Sequence, residues 1–446
     1  MIQIRKMTGI CLAAILGMTT ILSVGGCTGE STNGIETELE EGQDVTITWW
    51  SFPVFAQESA ADAEGTYEQK LIHAFEAVHP EVHVELKLID FTTGPEKIEH
   101  AIENGSACDV LLDAPGRIVD YGKRGYLADL KELFTDEFIA DVDNEMLLDA
   151  CKSGDTAYMY PLSSSPFYMA FNRAMLEDAG VLELVQEGFT TEDFTTVVHA
   201  LREKGYISGS VFYDGTGGDQ GTRAFVSNLY SSAITDRDCQ TYTINNEAGL
   251  QSLYYMKDAV DEGMLVNGNF QNGSGDIANF TSGQTAFTLL WGLNQQNSNQ
   301  EMLNLNGIQT VEVPYPSEDG EPELEYLVNG FGVFDNGNQQ KIEAAKEFVR
   351  FACDDAEYGP KDVIRTGCIP VRQSFGSLYD DARMTQIAGW TKYYTAYYNT
   401  MDGYASMRES WQKMLSNLLF DDKTVEDAAD DFVKQAMAAM GQEAAE

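Results

Sequence analysis

The sequence predicts an α/β protein with two domains, and three observations support this prediction. The chain has 446 residues, more than one hydrophobic core usually holds. Hydrophobic residues make up 43% of it and aromatic residues 11%, which is enough for sizeable cores. Strand and helix patterns alternate in the first part of the chain, and this alternation is typical of a doubly wound α/β domain.

The first strand is predicted over 45–52. Apolar and polar positions alternate there, and Pro53 ends the strand because proline cannot continue a ladder inside a sheet. Two adjacent tryptophans on a strand point to opposite faces. Trp49 shares a face with Ile47 and is predicted to enter the core. Trp50 is predicted to stay near the mouth, at the carboxyl end of the strand, where α/β sheets bind ligands.

Two further helix-and-strand units follow the first strand. Apolar residues recur at helical spacing over 67–78, and the next strand, 82–88, alternates strictly. A glycine and a proline open a helix over 94–105, and 109–113 is a short apolar run, as expected for a buried parallel strand. The order strand, helix, strand, helix, strand predicts a doubly wound unit, with its first and third strands ending at the same edge.

The rest of the chain continues with strands and then becomes mainly helical. The predicted strands are 211–213, 285–290, 310–316 and 326–334. The predicted helices are 190–201 with a capping box at its start, 246–262, 341–351, 390–400, a helix carrying Trp411 and Leu415 on one face, and 424–440. The strand at 211–213 is expected to deliver the loop of Gly215 to a cleft.

The formal net charge of −43 restricts the partners that this chain can have. It argues against nucleic acid, whose binding depends on Lys and Arg contacts to phosphate. It also disfavours an anionic membrane surface, and it fits a soluble exported protein. An anionic ligand is disfavoured by the same charge, although overall charge does not determine a local site.

The N-terminus has the features of a targeting segment. Arg5 and Lys6 precede a mostly apolar run, 10–22, that is too short for a comfortable membrane span. The residues before Cys27 resemble a bacterial lipobox, which implies cleavage before Cys27 and acylation of its sulfur. Residues 1–26 are thus interpreted as a signal peptide and 27–43 as a disordered tether. A plain secretory peptide is the alternative.

Five cysteines remain beyond Cys27, and their number and spacing indicate neither a disulfide framework nor a metal site. They are Cys108, Cys151, Cys239, Cys353 and Cys368. Buried free thiols are expected, with one pair, Cys353 and Cys368, left open. No H-E-x-x-H or G-x-S-x-G motif is present, and no motif marks a pair of catalytic carboxylates.

Several ordered segments resemble the extracellular solute-binding proteins of carbohydrate ABC importers, the maltose-binding-like family 1. These segments are 75–82, 98–130, 160–161, 171–180, 280–287, 344–349 and 367–371. The resemblance covers nearly the whole mature chain. It implies a type II two-lobed fold, in which each lobe has a mainly parallel sheet flanked by helices and the ligand lies in the cleft between them.

The resemblance also implies how the chain divides between the lobes. The N-terminal lobe would hold 44–160 and 331–371, and the C-terminal lobe 161–330 and 372–446. The chain would cross between the lobes near 161–170, 328–331 and 370–373.

The expected ligand site combines aromatic rings, which stack on the C–H faces of sugars, with side chains that bond hydroxyls. Asp113 and Arg117 would bond hydroxyls, although Arg117 could equally form a surface ion pair. The resemblance places Arg408, rather than Trp411, nearest the ligand. The full expected set is Trp50, Ser51, Asp113, Arg117, Phe167, Tyr168, Gly215, Trp291, Gly292, Asn329 and Arg408.

One group of tyrosines allows a second interpretation. Adjacent tyrosines bind ferric iron in a related class of binding proteins, and Tyr393, Tyr394, Tyr397 and Tyr398 lie close together here. No histidine lies beside them, so core packing is favoured over a metal site.

The function implied is that of a monomeric lipoprotein, anchored at the extracellular face of the cell membrane, without cofactor or enzymatic activity. It would capture a sugar or oligosaccharide by lobe closure and deliver it to an ABC permease. Two alternatives remain open. One is a secreted glycan hydrolase, and the other is a binding protein for a polyol phosphate, a polyamine or a metal ion.

Overall fold

The computed structural model describes residues 44–52, 65–90 and 92–442. Cys27 and the expected tether lie outside this part of the chain. The strands are β1 (Val45–Ser51), β2 (Val82–Leu88), β3 (Val110–Asp113), β4 (Lys152–Ser153), β5 (Thr156–Ala157), β6 (Tyr160–Pro166), β7 (Tyr168–Asn172), β8 (Ser210–Phe212), β9 (Val266–Gly268), β10 (Phe287–Trp291), β11 (Thr310–Val313), β12 (Tyr326–Val333) and β13 (Ile369–Pro370).

Helices occupy most of the intervening chain and nearly all of its last third. They are α1 (Tyr67–Val78), α2 (Gly94–Glu103), α3 (Pro115–Lys123), α4 (Asp136–Asp141), α5 (Glu145–Asp149), α6 (Arg173–Ala179), α7 (Thr191–Glu203), α8 (Gln220–Leu229), α9 (Glu247–Asp261), α10 (Gly273–Thr281), α11 (Leu293–Asn306), α12 (Gln339–Asp354), α13 (Tyr358–Thr366), α14 (Ala382–Ala388), α15 (Tyr404–Leu419) and α16 (Val425–Ala439). The predicted capping box at Thr190 is present at the start of α7.

The first lobe is built on a six-stranded sheet with the order β13-β6-β12-β3-β1-β2. β1 pairs with β2 and β3 in parallel, whereas β12 and β13 pair antiparallel with their neighbours. The expectation of a mainly parallel sheet is therefore corrected to a mixed one, because β12 returns to the sheet from the second lobe. Trp49 is fully buried and packs on Phe331 and Phe348, as its place on β1 predicts.

The second lobe contains two smaller sheets. β7 is the centre of an antiparallel sheet with β10 and β11, and β8 pairs with β9 in parallel. β6 of the first sheet leads into β7 with only Phe167 between them. β6 stays in the first sheet as far as Pro166, and β12 joins it from Tyr326 onward. Both strands thus reach a few residues beyond the expected lobe limits of 160 and 331.

The segment 390–400 does not form the predicted helix. It contains two short 3₁₀ turns, Gly389–Tyr393 and Tyr398–Thr400, separated by extended backbone at Tyr394. The physical reason is side-chain packing. The Tyr394 ring stacks on Tyr326 with 4.0 Å between ring centroids, and Tyr397 packs against the same ring. Tyr394, Tyr397 and Tyr398 are buried, which agrees with core packing for these three tyrosines.

Two further features of the described residues bear on the sequence analysis. All five cysteines in this part of the chain are free, so Cys353 and Cys368 are not paired. In the same residues, the structure contains no helix with the length and apolar character needed to cross a membrane.

Candidate functional site

One edge of the first sheet brings together three of the expected site residues. β1 ends at Ser51, which lies opposite Leu112 of β3, and Asp113 lies opposite Gly330 of β12. Asn329, which precedes Gly330 in β12, lies opposite Ser163 of β6. Since β1 and β3 end here, this is the carboxyl edge of the parallel part of the sheet, where α/β folds bind ligands.

Asp113 and Arg117 form a two-point ion pair at this edge. Arg117 Nε and Nη2 each donate to one carboxylate oxygen of Asp113 at 2.6 Å. Partial burial works to lower the pKa of Arg117, but the neighbouring Asp113 carboxylate raises it, and the net shift is upward. The Arg117 side chain is 39% exposed, with its guanidinium carbon 5.2 Å from the centre of the Phe52 ring. The pair is thus locally neutral but keeps an exposed guanidinium edge.

Trp50 and Ser51 are buried too deeply for the Trp50 ring to offer an open stacking surface. Trp50 is only 7% exposed, and Lys87 Nζ lies 3.8 Å from the centre of its ring. Ser51 is fully buried, and its hydroxyl donates to the backbone oxygen of Phe52 at 3.2 Å. In this structure the Trp50 ring is covered by a cation instead of being open to a sugar.

Four polar side chains from distant parts of the chain meet where the strands cross between lobes. Asn329 Nδ2 donates to Ser163 Oγ at 3.2 Å and to Cys368 Sγ at 3.6 Å. The Cys368 thiol in turn donates to Asn294 Oδ1 at 3.8 Å. Burial raises the pKa of the Cys368 thiol to about 11, so it is neutral at pH 7. These four residues, Ser163, Asn294, Asn329 and Cys368, are called the polar floor below.

The second lobe adds a helix terminus to the polar floor. Gly292 is the N-cap residue of α11, and no side chain of the described residues caps this helix. A Cβ at Gly292 would lie 3.2 Å from the backbone oxygen of Pro166 and 3.5 Å from the half-buried Phe167 ring, so this glycine allows the close approach. Uncapped N–H groups at a helix start are donors for an oxygen-bearing ligand.

Trp291 and Tyr168 pack inside the second lobe. They are paired across β10 and β7, and both are fully buried. The Trp291 indole donates to Gln296 Oε1 at 3.1 Å and packs edge-on against Phe280. Tyr168 packs edge-on against Trp390. Neither ring faces solvent in this structure, because each fills the core beneath the floor.

Gly215 lies in the loop after β8, and Arg408 lies near the start of α15. Arg408 donates to the carboxylate of Asp219, with Nε 2.9 Å from Oδ1, and to the backbone oxygen of Thr216. Burial lowers the pKa of Arg408. Gly215 is exposed in the adjacent turn, at a φ of +85° that favours glycine. Arg408 therefore holds the loop of Gly215 by donating to the Asp219 carboxylate and to the Thr216 backbone oxygen.

Sequence reasoning missed three members of the polar floor, Ser163, Asn294 and Cys368. Asn294 lies two residues after Gly292, which was expected in the site. Its position in the first turn of α11 was the sequence signal that could have identified it. Cys368 was considered only as a disulfide partner, and nothing in the local sequence indicates that it meets Asn329. The register of β12 and β13 against β6 brings these residues together.

No group of three or more His, Cys, Asp and Glu side chains in 44–52, 65–90 and 92–442 could hold a metal ion.

A mixed sheet joined by crossing strands to a second α/β lobe, with uncharged polar groups at the crossings, defines a two-lobed ligand-binding protein. The family described as bacterial extracellular solute-binding protein matches residues 59–357, which is more than half of the 446 residues. The chain belongs to this family.

Solved structures of sugar-binding proteins share this fold. The GacH receptor of Streptomyces glaucescens, described unliganded and with acarbose, is 19% identical with a TM-score of 0.69, over 90% of this chain and 100% of that chain. The cyclic α-maltosyl-1,6-maltose binding protein of Arthrobacter globiformis is 17% identical with a TM-score of 0.73, over 90% and 99%. The sugar-binding protein MalE of Xanthomonas citri is 15% identical with a TM-score of 0.71, over 89% and 98%.

Proposed function

We propose that this protein is the substrate-binding component of an ABC importer that captures a neutral sugar or oligosaccharide between its lobes and delivers it to a permease. The polar floor is the observation that carries this proposal. The half-buried amides of Asn294 and Asn329 offer both donors and acceptors to hydroxyls, and the fully buried Ser163 and Cys368 hold these amides in place. None of the four side chains carries a charge that would favour an ionic ligand.

Charge near the floor also favours a neutral ligand over the alternatives. Asp113 neutralises the Arg117 cation at this sheet edge through two short hydrogen bonds, and the Lys87 ammonium lies over the Trp50 ring. A polyol phosphate or a polyamine would require opposite charge that is not already paired, because burying an uncompensated charge is costly. The ligands in the descriptions of the similar structures, acarbose and cyclic maltosyl-maltose, are likewise oligosaccharide-like compounds.

Several finer statements belong to the same proposal. The ligand would lie between an N-terminal lobe of 44–166 and 326–371 and a C-terminal lobe of 167–325 and 372–446, with limits that follow the strands of the first sheet. The expected site residues would surround it, with Ser51, Asp113, Arg117 and Asn329 on the first-lobe side and Phe167, Gly215, Gly292 and Arg408 on the second. Trp50, Tyr168 and Trp291, which are buried, would support these residues from within the lobes.

A thermal-shift screen tests the ligand class directly. Purified protein is mixed with a glycan panel, polyol phosphates, polyamines and divalent metals, and a ligand that binds the folded state raises the melting temperature. A shift with glycans alone supports the proposal, and a shift with one of the other classes alone contradicts it. Release of product from any glycan on longer incubation would instead identify a hydrolase, which the proposal excludes.

A matched pair of variants tests the polar floor. Asn329→Ala removes an amide of the floor and is expected to weaken sugar binding about 3- to 10-fold, the size of one lost hydrogen bond. Asn104→Ala is the control, because the Asn104 side chain only donates to the backbone oxygen of His100 on the surface of the first lobe. Equal affinity of the parent and Asn329→Ala in calorimetry would remove the floor from the site.

The proposal places the protein at the extracellular face of the membrane as a monomer held by lipid on Cys27. A Cys27→Ser variant is expected to move from the membrane fraction to the soluble fraction of the producing bacterium and to lose incorporation of labelled fatty acid. Unchanged fractionation and labelling of this variant would contradict lipid anchoring while leaving sugar binding intact.

A further inference from the structure

Phe270 is a large apolar side chain held in solvent by an ordered backbone. It is 86% exposed and lies in the turn between β9 and α10. The next residue, Gln271, donates its backbone N–H to Gly268 at 3.0 Å and accepts from the backbone N–H of Asp214 at 2.8 Å. Asn272 then caps α10. Because the turn is bonded on both sides, the exposure of the ring is a property of the fold.

The turn of Phe270 lies at the edge of the second lobe that faces the polar floor. β8 and β9 are parallel, so the loops after them share one edge. The loop after β8 also reaches the end of β10, since a Cβ at Gly218 would lie 2.4 Å from a methyl carbon of Leu290. β10 ends at Trp291, and the next residue, Gly292, lies close to the junction of β6 and β7. The carboxyl ends of all three strands thus meet on the cleft side.

The distance from the floor to Phe270 follows from the order of the strands. β10 pairs with β7, and a Cβ at Gly209, just before β8, would lie 2.8 Å from the backbone oxygen of Phe287 at the start of β10. β9 is the next strand out. The steps from β7 to β10 and from β8 to β9 join hydrogen-bonded strands about 4.8 Å apart, so Phe270 lies at least roughly 10 Å from β7. One sugar ring cannot span that distance.

Exposed glycine backbone lies next to the turn of Phe270. The loop after β8 contains Gly215 and Gly217, and no heavy atom lies within 4 Å of a Cβ built at either position. This loop is bonded to the Phe270 turn through Asp214, and Gly273 donates its backbone N–H to the oxygen of Gly217 at 2.8 Å. An exposed polar backbone beside an exposed aromatic ring suits the hydroxyl-bearing edge and the C–H face of a sugar.

We propose that Phe270 is an outer stacking platform of the binding cleft and that the ligand is an oligosaccharide of three or more rings. One end of the ligand is bound at the polar floor, and its distal ring stacks on Phe270 beside Gly215 and Gly217. This inference rests on the proposed function, and it defines the ligand as an oligosaccharide in preference to a single sugar.

Calorimetry across a chain-length series tests the inference. The probes are linear α-1,4- and β-1,4-linked glucose oligomers of one to six units, together with any glycan that shifts the melting temperature of the parent. The parent is expected to bind oligomers of three or more units more tightly than shorter ones. Phe270→Ala is expected to lose about 3- to 10-fold in affinity for the long oligomers only, and Phe270→Tyr to retain it.

A blocking variant and a control complete the experiment. Gly217→Gln adds a side chain at a position where a Cβ meets open space, so it is expected to fold normally and to weaken only the long oligomers. Leu305→Ala removes another exposed apolar side chain, 77% exposed near the far end of the 14-residue α11, and is expected to change nothing.

The outcomes separate this inference from the proposed function. A parent that binds no glycan contradicts the proposed function itself. A parent that binds a single sugar as tightly as any oligomer overturns the chain-length inference alone. A parent that prefers long oligomers, with Phe270→Ala and Gly217→Gln binding them equally well, overturns the role of Phe270.

Discussion

Replacing Arg223 with methionine removes the centre of a buried ionic cluster in the second lobe. Arg223 is fully buried and donates to Asp219, to Glu325 Oε2 at 3.2 Å, and to the hydroxyls of Tyr398 and Tyr404 at 2.9 and 3.1 Å. Burial opposes its charge, but the Glu325 carboxylate holds the pKa of Arg223 well above its ordinary value. The cluster therefore contains a permanent cation between two buried carboxylates.

The expected cost follows from what remains after the substitution. Breaking a buried pair by removing one partner typically costs about 3–5 kcal/mol, because the other charge is left uncompensated. Asp219 keeps Arg408, whose Nη2 lies 2.5 Å from Oδ1. Glu325 keeps only a neutral donor, the Tyr398 hydroxyl, among the contacts described. The free energy of unfolding is thus expected to fall by about 3 kcal/mol, the lower end of this range, mainly because Glu325 is left uncompensated.

Urea denaturation at pH 7 measures this loss as a change in midpoint with an unchanged slope. The double variant Arg223→Met, Glu325→Gln is expected to recover part of the loss, because it removes the uncompensated carboxylate. Arg173→Met is the control, since Arg173 forms a surface pair with Glu177 at 3.7 Å and should cost less than about 1 kcal/mol. A loss below 1 kcal/mol in Arg223→Met, or a double variant that is less stable than the single one, would refute the reasoning.

Three further predictions concern stability. Asp141 accepts hydrogen bonds from Arg372 at 3.0 Å and from the backbone N–H and hydroxyl of Ser374 at 2.8 and 2.6 Å. Burial alone would raise the pKa of Asp141, but these bonds lower it below its ordinary value. Its stabilising effect is therefore present above the unfolded pKa, about 3.9, and is lost as the pH falls through the folded pKa. Asp141→Asn is expected to cost about 1–3 kcal/mol at pH 7, and the difference from the parent should shrink below about pH 4; a constant difference in urea titrations would contradict this. Gly330→Ala should cost at least about 1–3 kcal/mol, because its Cβ would lie 2.4 Å from the backbone oxygen of Tyr160, and an unchanged melting temperature would show that β6 and β12 can separate freely. Trp50→Ala should cost about 3–5 kcal/mol because the ring is nearly buried, and a loss below 1 kcal/mol would indicate that the ring is not part of the core.

Much of the fold could be predicted from the sequence because it depends on local periodicity. The alternation over β1 places Trp49 in the core, and the capping box at Thr190 begins α7 where predicted. The segment 390–400 shows the limit of this reasoning. Its tyrosines have helical spacing, but stacking of Tyr394 on Tyr326 favours extended backbone over helix.

The candidate site could be predicted only in part, because most of its members meet through contacts between distant segments. Asp113 and Arg117 are four residues apart, and the structure brings them together as an ion pair. The polar floor joins Asn294, Asn329 and Cys368, which are separated by tens of residues, and no local pattern indicates that they meet. Phe270 was also missed, because an isolated phenylalanine in a polar turn cannot be distinguished by sequence from a core residue.

By itself, the sequence determined the class of fold and the family resemblance, because these depend on local patterns and on the order of segments. Only the tertiary structure decided which aromatic rings are open to a ligand. Burial depends on packing between segments far apart in the chain. That packing covers Trp50 with Lys87, places Trp291 in the core, and leaves Phe270 exposed in the turn after β9.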